Sequence, residues 1–135
     1  MIVQHVPIEF VAQTWPFVEQ FMDASEKFAG GDYTADQIKV YLAKGHWTLL
    51  VAVDEDKVIK GAATVSFSNY PNDRVAFITN MGGNMLVNEA VLDSLKQVLK
   101  GFGATKIQGA MRPSMVRLSS KLGFVERYTI VEVKI

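Results

Sequence analysis

The chain has no cysteine. That removes a disulfide framework, a thiol nucleophile and a thiolate metal site together, and it suits a reducing cytoplasm. Net charge is missing too: fourteen Lys and Arg balance fourteen Asp and Glu. With no basic excess, neither a nucleic-acid footprint nor an electrostatic membrane partner is expected. No apolar run approaches the roughly 20 residues that span a bilayer. The start, Met-Ile-Val-Gln-His-Val, lacks the basic region and long apolar run of a signal peptide. Histidine is scarce, His5 and His46 being the only two. No His-Glu-x-x-His or clustered carboxylate pattern occurs, so no metal site is expected. Repeats, low-complexity tracts and linkers are also lacking, which leaves one domain over residues 1–135 as the expectation.

What is present is apolar patterning strong enough to build a core, with 49% hydrophobic and 21% charged residues. Ile2 to Val6 reads as a short strand stopped by Pro7. Ile8, Val11, Ala12 and Trp15 follow at helical spacing, Pro16 is expected to break or kink that helix, and Thr14 to cap the next piece. Phe17, Val18, Phe21, Met22 and Phe28 continue an apolar stripe up to Gly30-Gly31. Thr34 with Gln37 forms a capping box for a helix over 35–44, closed by Gly45.

The middle reads as an antiparallel meander: strands over 47–53, 58–67 and 74–79, joined by Asp54-Glu55-Asp56-Lys57 and by Pro71-Asn72-Asp73. Next comes a Gly-Gly pair and a helix capped by Asn88, with Ala90, Val91, Leu92, Leu95, Val98, Leu99 and Phe102 on one side and Gly103 as its stop. A strand over 105–111 needs a crossover and is therefore parallel to the strand before the helix. Pro113 starts a last helix with Met115, Leu118 and Leu122 inward and Gly123 at its end; 125–135 reads as a final strand, alternating Val131, Val133 and Ile135 with Glu132 and Lys134. The fold class is α/β: a mixed, mostly antiparallel sheet with one parallel strand pair, flanked by helices.

That order resembles the GNAT superfamily of acyl-CoA N-acyltransferases. The carriers of the resemblance are Gly103-Ala104, a strand, a Pro-initiated helix and the run Lys121-Leu122-Gly123-Phe124. Val-Ala-Gln-Thr-Trp-Pro, Gly-Asp-Tyr-Thr, Gly-His-Trp-Thr-Leu-Leu-Val-Ala, Tyr-Pro-Asn-Asp-Arg-Val and Arg-Pro-Ser make the whole chain similar to small GNAT-like proteins of tailed bacteriophages. The resemblance implies an acetyl-CoA groove between two splayed parallel strands. Its pantetheine arm would lie along Ile78, Thr79, Asn80 and Met81, and its pyrophosphate on Gly82, Gly83 and Asn84 at the start of the long helix. Arg112, at the start of the last helix, would meet a phosphate or carboxylate, or else stand solvated. Ser119 falls where the family often has a tyrosine acid, although its hydroxyl is a poor one; His46 is a candidate base. The acceptor would be an amine on a small molecule or a protein.

The same stretch departs from the family pattern. Met85, Leu86 and Val87 stand where a glycine-rich phosphate loop is expected, and no Arg or Lys occurs between Arg74 and Lys96. Gly82-Gly83 is therefore either a shifted phosphate cradle or a tight turn. Two functions follow: an acetyl-CoA-dependent N-acetyltransferase in the host cytoplasm, or an inactive phage protein that keeps the scaffold for virion assembly or protein binding. The oligomeric state is not legible.

Overall fold

The computed structural model describes residues 1–26 and 32–135. The expected Phe28 position and the Gly30-Gly31 stop lie outside them. The elements run β1 (Ile2–Val6), α1 (Ile8–Glu26), α2 (Ala35–Ala43), β2 (Thr48–Val53), β3 (Ile59–Asn69), β4 (Arg74–Gly83), α3 (Glu89–Gly101), β5 (Lys106–Gly109) and α4 (Pro113–Ser120). One sheet has the order β1-β2-β3-β4-β5. The first three pairings are antiparallel and β4–β5 is parallel, as a helical crossover requires.

The sheet is covered on both faces, which explains why β2 is apolar at nearly every position. Leu49, Val51 and Val53 point one way, into a core with Val11, Trp15, Val18 and Met22 of α1 and Ile38 and Leu42 of α2. Leu50 and Ala52 point the other way, toward Val91, Leu92, Leu95 and Leu99 of α3. The α3 stripe is as the 3.6-residue period predicts, except that Ala90 is exposed.

Helix ends follow local chemistry. The Thr34–Gln37 capping box forms in both directions, and Asn88 accepts the Val91 N–H at 3.0 Å. Gly45, Gly103 and Gly123 stop their helices at positive φ, as glycine can.

Four expectations are corrected. Pro16 neither breaks α1 nor needs Thr14 as a cap: α1 is continuous through it. Pro16 lies on the exposed side, where water can meet the carbonyl it leaves without a donor, while Val11, Trp15, Val18 and Met22 bury one stripe on both sides of it. β4 runs on to Gly83 because β3 pairs with it to the end, and β5 is shorter than expected. In α4, Met115 and Leu118 point outward, 38% and 56% exposed, and Ser119 is the buried residue. Finally, 125–135 is not a strand: the alternating pattern is there, but the segment pairs with nothing in the sheet. A β pattern specifies a face and still needs a partner edge to become a strand.

Candidate active site

The parallel pair β4–β5 is held at one end and parts at the other. At the held end the Thr105 N–H donates to the Arg74 carbonyl at 2.8 Å, and the Arg74 N–H donates to Thr105 Oγ1 at 3.1 Å. Thr105 Oγ1 in turn donates to Asp73 Oδ1 at 2.9 Å, and Lys106 Nζ meets Asp73 Oδ2 at 3.0 Å. These two partners hold the Asp73 carboxyl below the usual carboxylate range. Pairing then covers four positions, Val75–Lys106 to Ile78–Gly109, and stops. Beyond Ile78, β4 continues for five residues whose backbone, among the described residues, is paired on its β3 side and on no other.

A β-bulge falls at that parting. Val65 faces Ile78 and Thr64 faces Asn80, leaving Thr79 as the extra residue. Bulges bend a strand and re-aim its groups, often beside functional sites. Here the extra residue is fixed from below: Thr79 Oγ1 donates to the Thr64 carbonyl at 3.0 Å and lies 2.7 Å from Thr64 Oγ1. Asn80 Nδ2 donates to Thr64 Oγ1 at 3.3 Å, and Ser25 Oγ on α1 lies 3.3 Å from Asn80 Oδ1. Thr64 and Ser25 were not foreseen. The polar Thr79-Asn80 pair inside an apolar strand was the signal that a buried polar cluster sits here.

The loop after β4 is set by close packing. A β-carbon at Gly82 would lie 2.4 Å from the Phe21 carbonyl oxygen of α1; at Gly83 (φ 70°) it would lie 2.4 Å from the Lys60 carbonyl oxygen. The Asn84 N–H donates to that same Lys60 carbonyl at 3.0 Å. Met85 is fully buried with the α3-side core, Leu86 packs partly against it and Val87 is exposed. The start of α3 is likewise occupied, by the Asn88 side chain and by the Glu89 carboxylate in the first turn.

The site residues read from sequence therefore separate into groups. Ile78, Thr79, Asn80, Met81, Gly82, Gly83 and Asn84 form one continuous run along the free edge and into the loop. Arg112 is the N-cap residue of α4, which leaves the same end of β5. Ser119 lies seven residues further on, about 10 Å along the helix; its hydroxyl donates to the Val116 carbonyl at 3.0 Å. His46 is exposed just before β2, its ring 5.9 Å from that of Tyr41. Thr48, Val65, Ile78 and Gly109 form one row across the sheet. His46 precedes that row, on the Phe77 side, away from the Thr79–Gly83 run. Tyr70 and Pro71 line a hollow of about 300 Å³ with Asp73, Lys106 and Tyr128, at the held end of β4–β5.

Among the described residues no group of three or more His, Asp or Glu could hold a metal, and no helix is long and apolar enough to cross a membrane. No family model and no curated protein matches the sequence. Solved structures do. A probable acetyltransferase aligns over 100% of this chain and 98% of its own, at 16% identity and a TM-score of 0.70. The aminoglycoside antibiotic 6'-N-acetyltransferase of Acinetobacter baumannii aligns over 98% and 96%, at 13% identity and 0.61. A predicted acetyltransferase from Clostridium acetobutylicum, solved with acetyl-CoA, aligns over 98% and 94%, at 16% identity and 0.63. At such identities the likeness is one of architecture: this chain has the GNAT-like fold of those acetyltransferases.

Proposed function

We propose that the chain is an N-acetyltransferase that takes acetyl-CoA along the free edge of β4 and transfers the acetyl group to an amine. The observation that carries this reading is the coincidence of the β4–β5 parting at Ile78–Gly109 with the bulge at Thr79. A free run of backbone donors and acceptors suits the amide-bearing pantetheine arm. The backbone of Ile78, Thr79, Asn80 and Met81 would hold that arm, and the bulge fixes where its end comes to rest.

The phosphate end fits less well. Asn84 has spent its N–H on Lys60, Asn88 caps α3, and Glu89 places negative charge at the helix end that would attract phosphate. Gly82 and Gly83 serve close packing and a positive-φ turn. The reading thus puts most of the binding on β4, with Arg112 as the cation nearest in sequence to the far side of the groove.

When bound, acetyl-CoA supplies the thioester whose carbonyl carbon an amine can attack. The chain contributes placement: the Thr64–Thr79–Asn80 cluster holds the bulged backbone still, and a fixed approach geometry is itself a large share of rate acceleration. Ser119 bonded to its own helix, and His46 on the other side of the row, leave positioning rather than a side-chain acid or base as the main source of rate.

The occupied phosphate end favours a second reading: a bacteriophage protein that keeps the scaffold for virion assembly or protein binding. Calorimetric titration of acetyl-CoA into the pure chain separates the two. Binding is expected, accompanied by a thermal shift with coenzyme A by mass action. No heat and no shift at millimolar ligand would remove the enzyme reading, and mass spectrometry of purified virions would then test the second.

A further inference from the structure

We infer that the groove between α3 and β5 is a binding site for a single-chain alkyl anion: an apolar tail ending in one negative head, of which a medium-chain carboxylate is the simplest case. The groove measures about 510 Å³, within the roughly 300–1,000 Å³ of small-molecule sites. Its floor is Leu92 and Leu99 of α3, Ile107 of β5, and Leu122 and Phe124 just after α4. It lies at the end where Thr105 holds β5 to Arg74, not at the Ile78–Gly109 parting. The site is therefore separate from the β4 run assigned above to acetyl-CoA and does not depend on that reading.

The charge around this groove has one sign. Lys96, Lys100 and Lys106 line it, and among the described residues no carboxylate does. Lys106 is spent on Asp73 at 3.0 Å. Lys96 and Lys100 are exposed and, among the described residues, have no ion-pair or hydrogen-bond partner. Lys100 stands in the last turn of α3, where positive charge suits the helix end. Lys96, one turn earlier, gains little there and repels Lys100. A negative head seated between them removes that repulsion. Zero net charge conceals the wider setting. Residues 1–95 carry six Lys and Arg against twelve Asp and Glu, whereas residues 96–135 carry eight against two. The positive part supplies the whole lining of the groove except Leu92, and it draws anions toward it.

The lining also excludes ligands that need several directed bonds. Apart from the lysines, its one side-chain polar group is the Thr105 hydroxyl, which is spent on Asp73 at 2.9 Å. A nucleotide base or a sugar laid on Leu92, Leu99 and Ile107 would lose water and gain no partner. An alkyl chain loses nothing there, and each methylene taken out of water adds to binding. The chain's own last segment is not the occupant, since no residue after Phe124 lines the groove. Ile107 packs with the α3-side core, so Gln108 faces the other side of the sheet. Arg127 and Tyr128 stand beside Gln108, in the hollow on that other side.

The test is calorimetric titration of the full chain with decanoate, decanol and decyltrimethylammonium, which share a tail and differ in the charge of the head. Decanoate should bind most tightly and the cation least. The double variant Lys96→Gln, Lys100→Gln should weaken decanoate about three- to tenfold, as two solvent-facing ion pairs contribute, and leave decanol unchanged. The double variant Lys96→Glu, Lys100→Glu should invert the order and prefer the cation. Both positions are exposed, and circular dichroism checks that each variant keeps the fold. In methyl NMR spectra, decanoate should shift Ile107 and Leu122 more than Ile78. No binding of decanoate at about 1 mM, the weak end of specific association, would overturn the proposal. So would equal affinity of the wild type and the glutamate pair for decanoate. Shifts at Ile78 and Met81 in place of Ile107 and Leu122 would also overturn it, by putting the tail on the β4 run.

Discussion

Phe21 and Gly82 meet backbone to backbone: a β-carbon on Gly82 would stand 2.4 Å from the Phe21 carbonyl oxygen and 2.9 Å from its carbonyl carbon. That contact seats α1 on the end of β4 and sets the height of the strand that carries the candidate groove. The obstacle is helix backbone, which cannot rotate out of the way as a side-chain tip can. Gly82→Ala should therefore cost at least the roughly 1–3 kcal/mol of an overpacked core, read as a lower urea midpoint at unchanged slope. Gly101 is the matched control. A β-carbon there meets nothing within 4 Å, so Gly101→Ala should stabilise by about 0.5–1 kcal/mol through helix propensity. Equal midpoints for the two variants would mean that α1 yields freely.

The contrast between these glycines marks what sequence could and could not reveal. Gly82 stands out in the sequence as half of a Gly-Gly pair, but nothing there shows that the backbone of Phe21 lies against it. Local chemistry was readable wherever one segment decides its own shape: the Thr34–Gln37 box, the Asn88 cap, the positive-φ stops at Gly103 and Gly123, and the α3 stripe from Val91 to Leu99. The antiparallel meander and the parallel step followed from connection lengths. What depends on register did not show. The Thr79 bulge exists only relative to β3, and Ser25 reaches Asn80 across 55 residues. Met85 reads as an obstruction in a phosphate loop, whereas it anchors that loop in the core. The last segment carries a strand's pattern, and a pattern cannot say whose edge it will meet.

Asn80 is the hub of the buried polar cluster, placed between Thr64 of β3 and Ser25 of α1. Replacing it by alanine removes both contacts, while the Ser25 hydroxyl keeps the Met22 carbonyl at 2.9 Å and Thr64 Oγ1 keeps Thr79 Oγ1 at 2.7 Å. The expected cost is about 0.5–1.5 kcal/mol, that of hydrogen bonds lost without an orphaned partner. Thr64→Val keeps the shape and removes the hydroxyl that meets both Thr79 and Asn80. A double-mutant cycle on Asn80 and Thr64 should give a coupling of about 0.5 kcal/mol or more, as contacting residues do. Simple additivity would mean that the cluster is a set of neighbours and not a network.

Stability should fall in two steps on acidification. Burial holds the His5 imidazole below its ordinary 6.5, with Glu9 opposing more weakly. The unfolded chain then takes up the proton first, so the His5 contribution is complete above pH 6.5 and is lost as pH falls through the lower folded value. Asp73 is held below 3.8 by its bonds to Lys106 and Thr105. Its contribution is complete above pH 3.8 and is lost as pH falls through the folded value. Melting temperature against pH should show a plateau above neutrality, a step below pH 6.5 that His5→Gln abolishes, and a step below pH 3.8 that Asp73→Asn abolishes. A upper step that survives His5→Gln would place the titrating group elsewhere.

Glu89 puts stability and ligand binding in opposition at one atom group. Its carboxylate sits in the first turn of α3, beside the Asn88 cap, where the helix end carries partial positive charge. That is a favourable place for the fold and an unfavourable one for a phosphate arriving at the same end. Glu89→Gln should lower stability by about 0.3–1 kcal/mol and tighten coenzyme A binding by a similar amount, roughly two- to fivefold in Kd. Pantetheine, which has no phosphate, should bind both forms alike. The three measurements answer different questions. The stability loss checks the helix-end charge, the coenzyme A gain checks that phosphate reaches α3, and the pantetheine control separates that gain from any change in the β4 groove. If Glu89→Gln loses stability and gains no affinity, the phosphates do not approach α3, and the groove must hold its ligand along Ile78–Met81 alone.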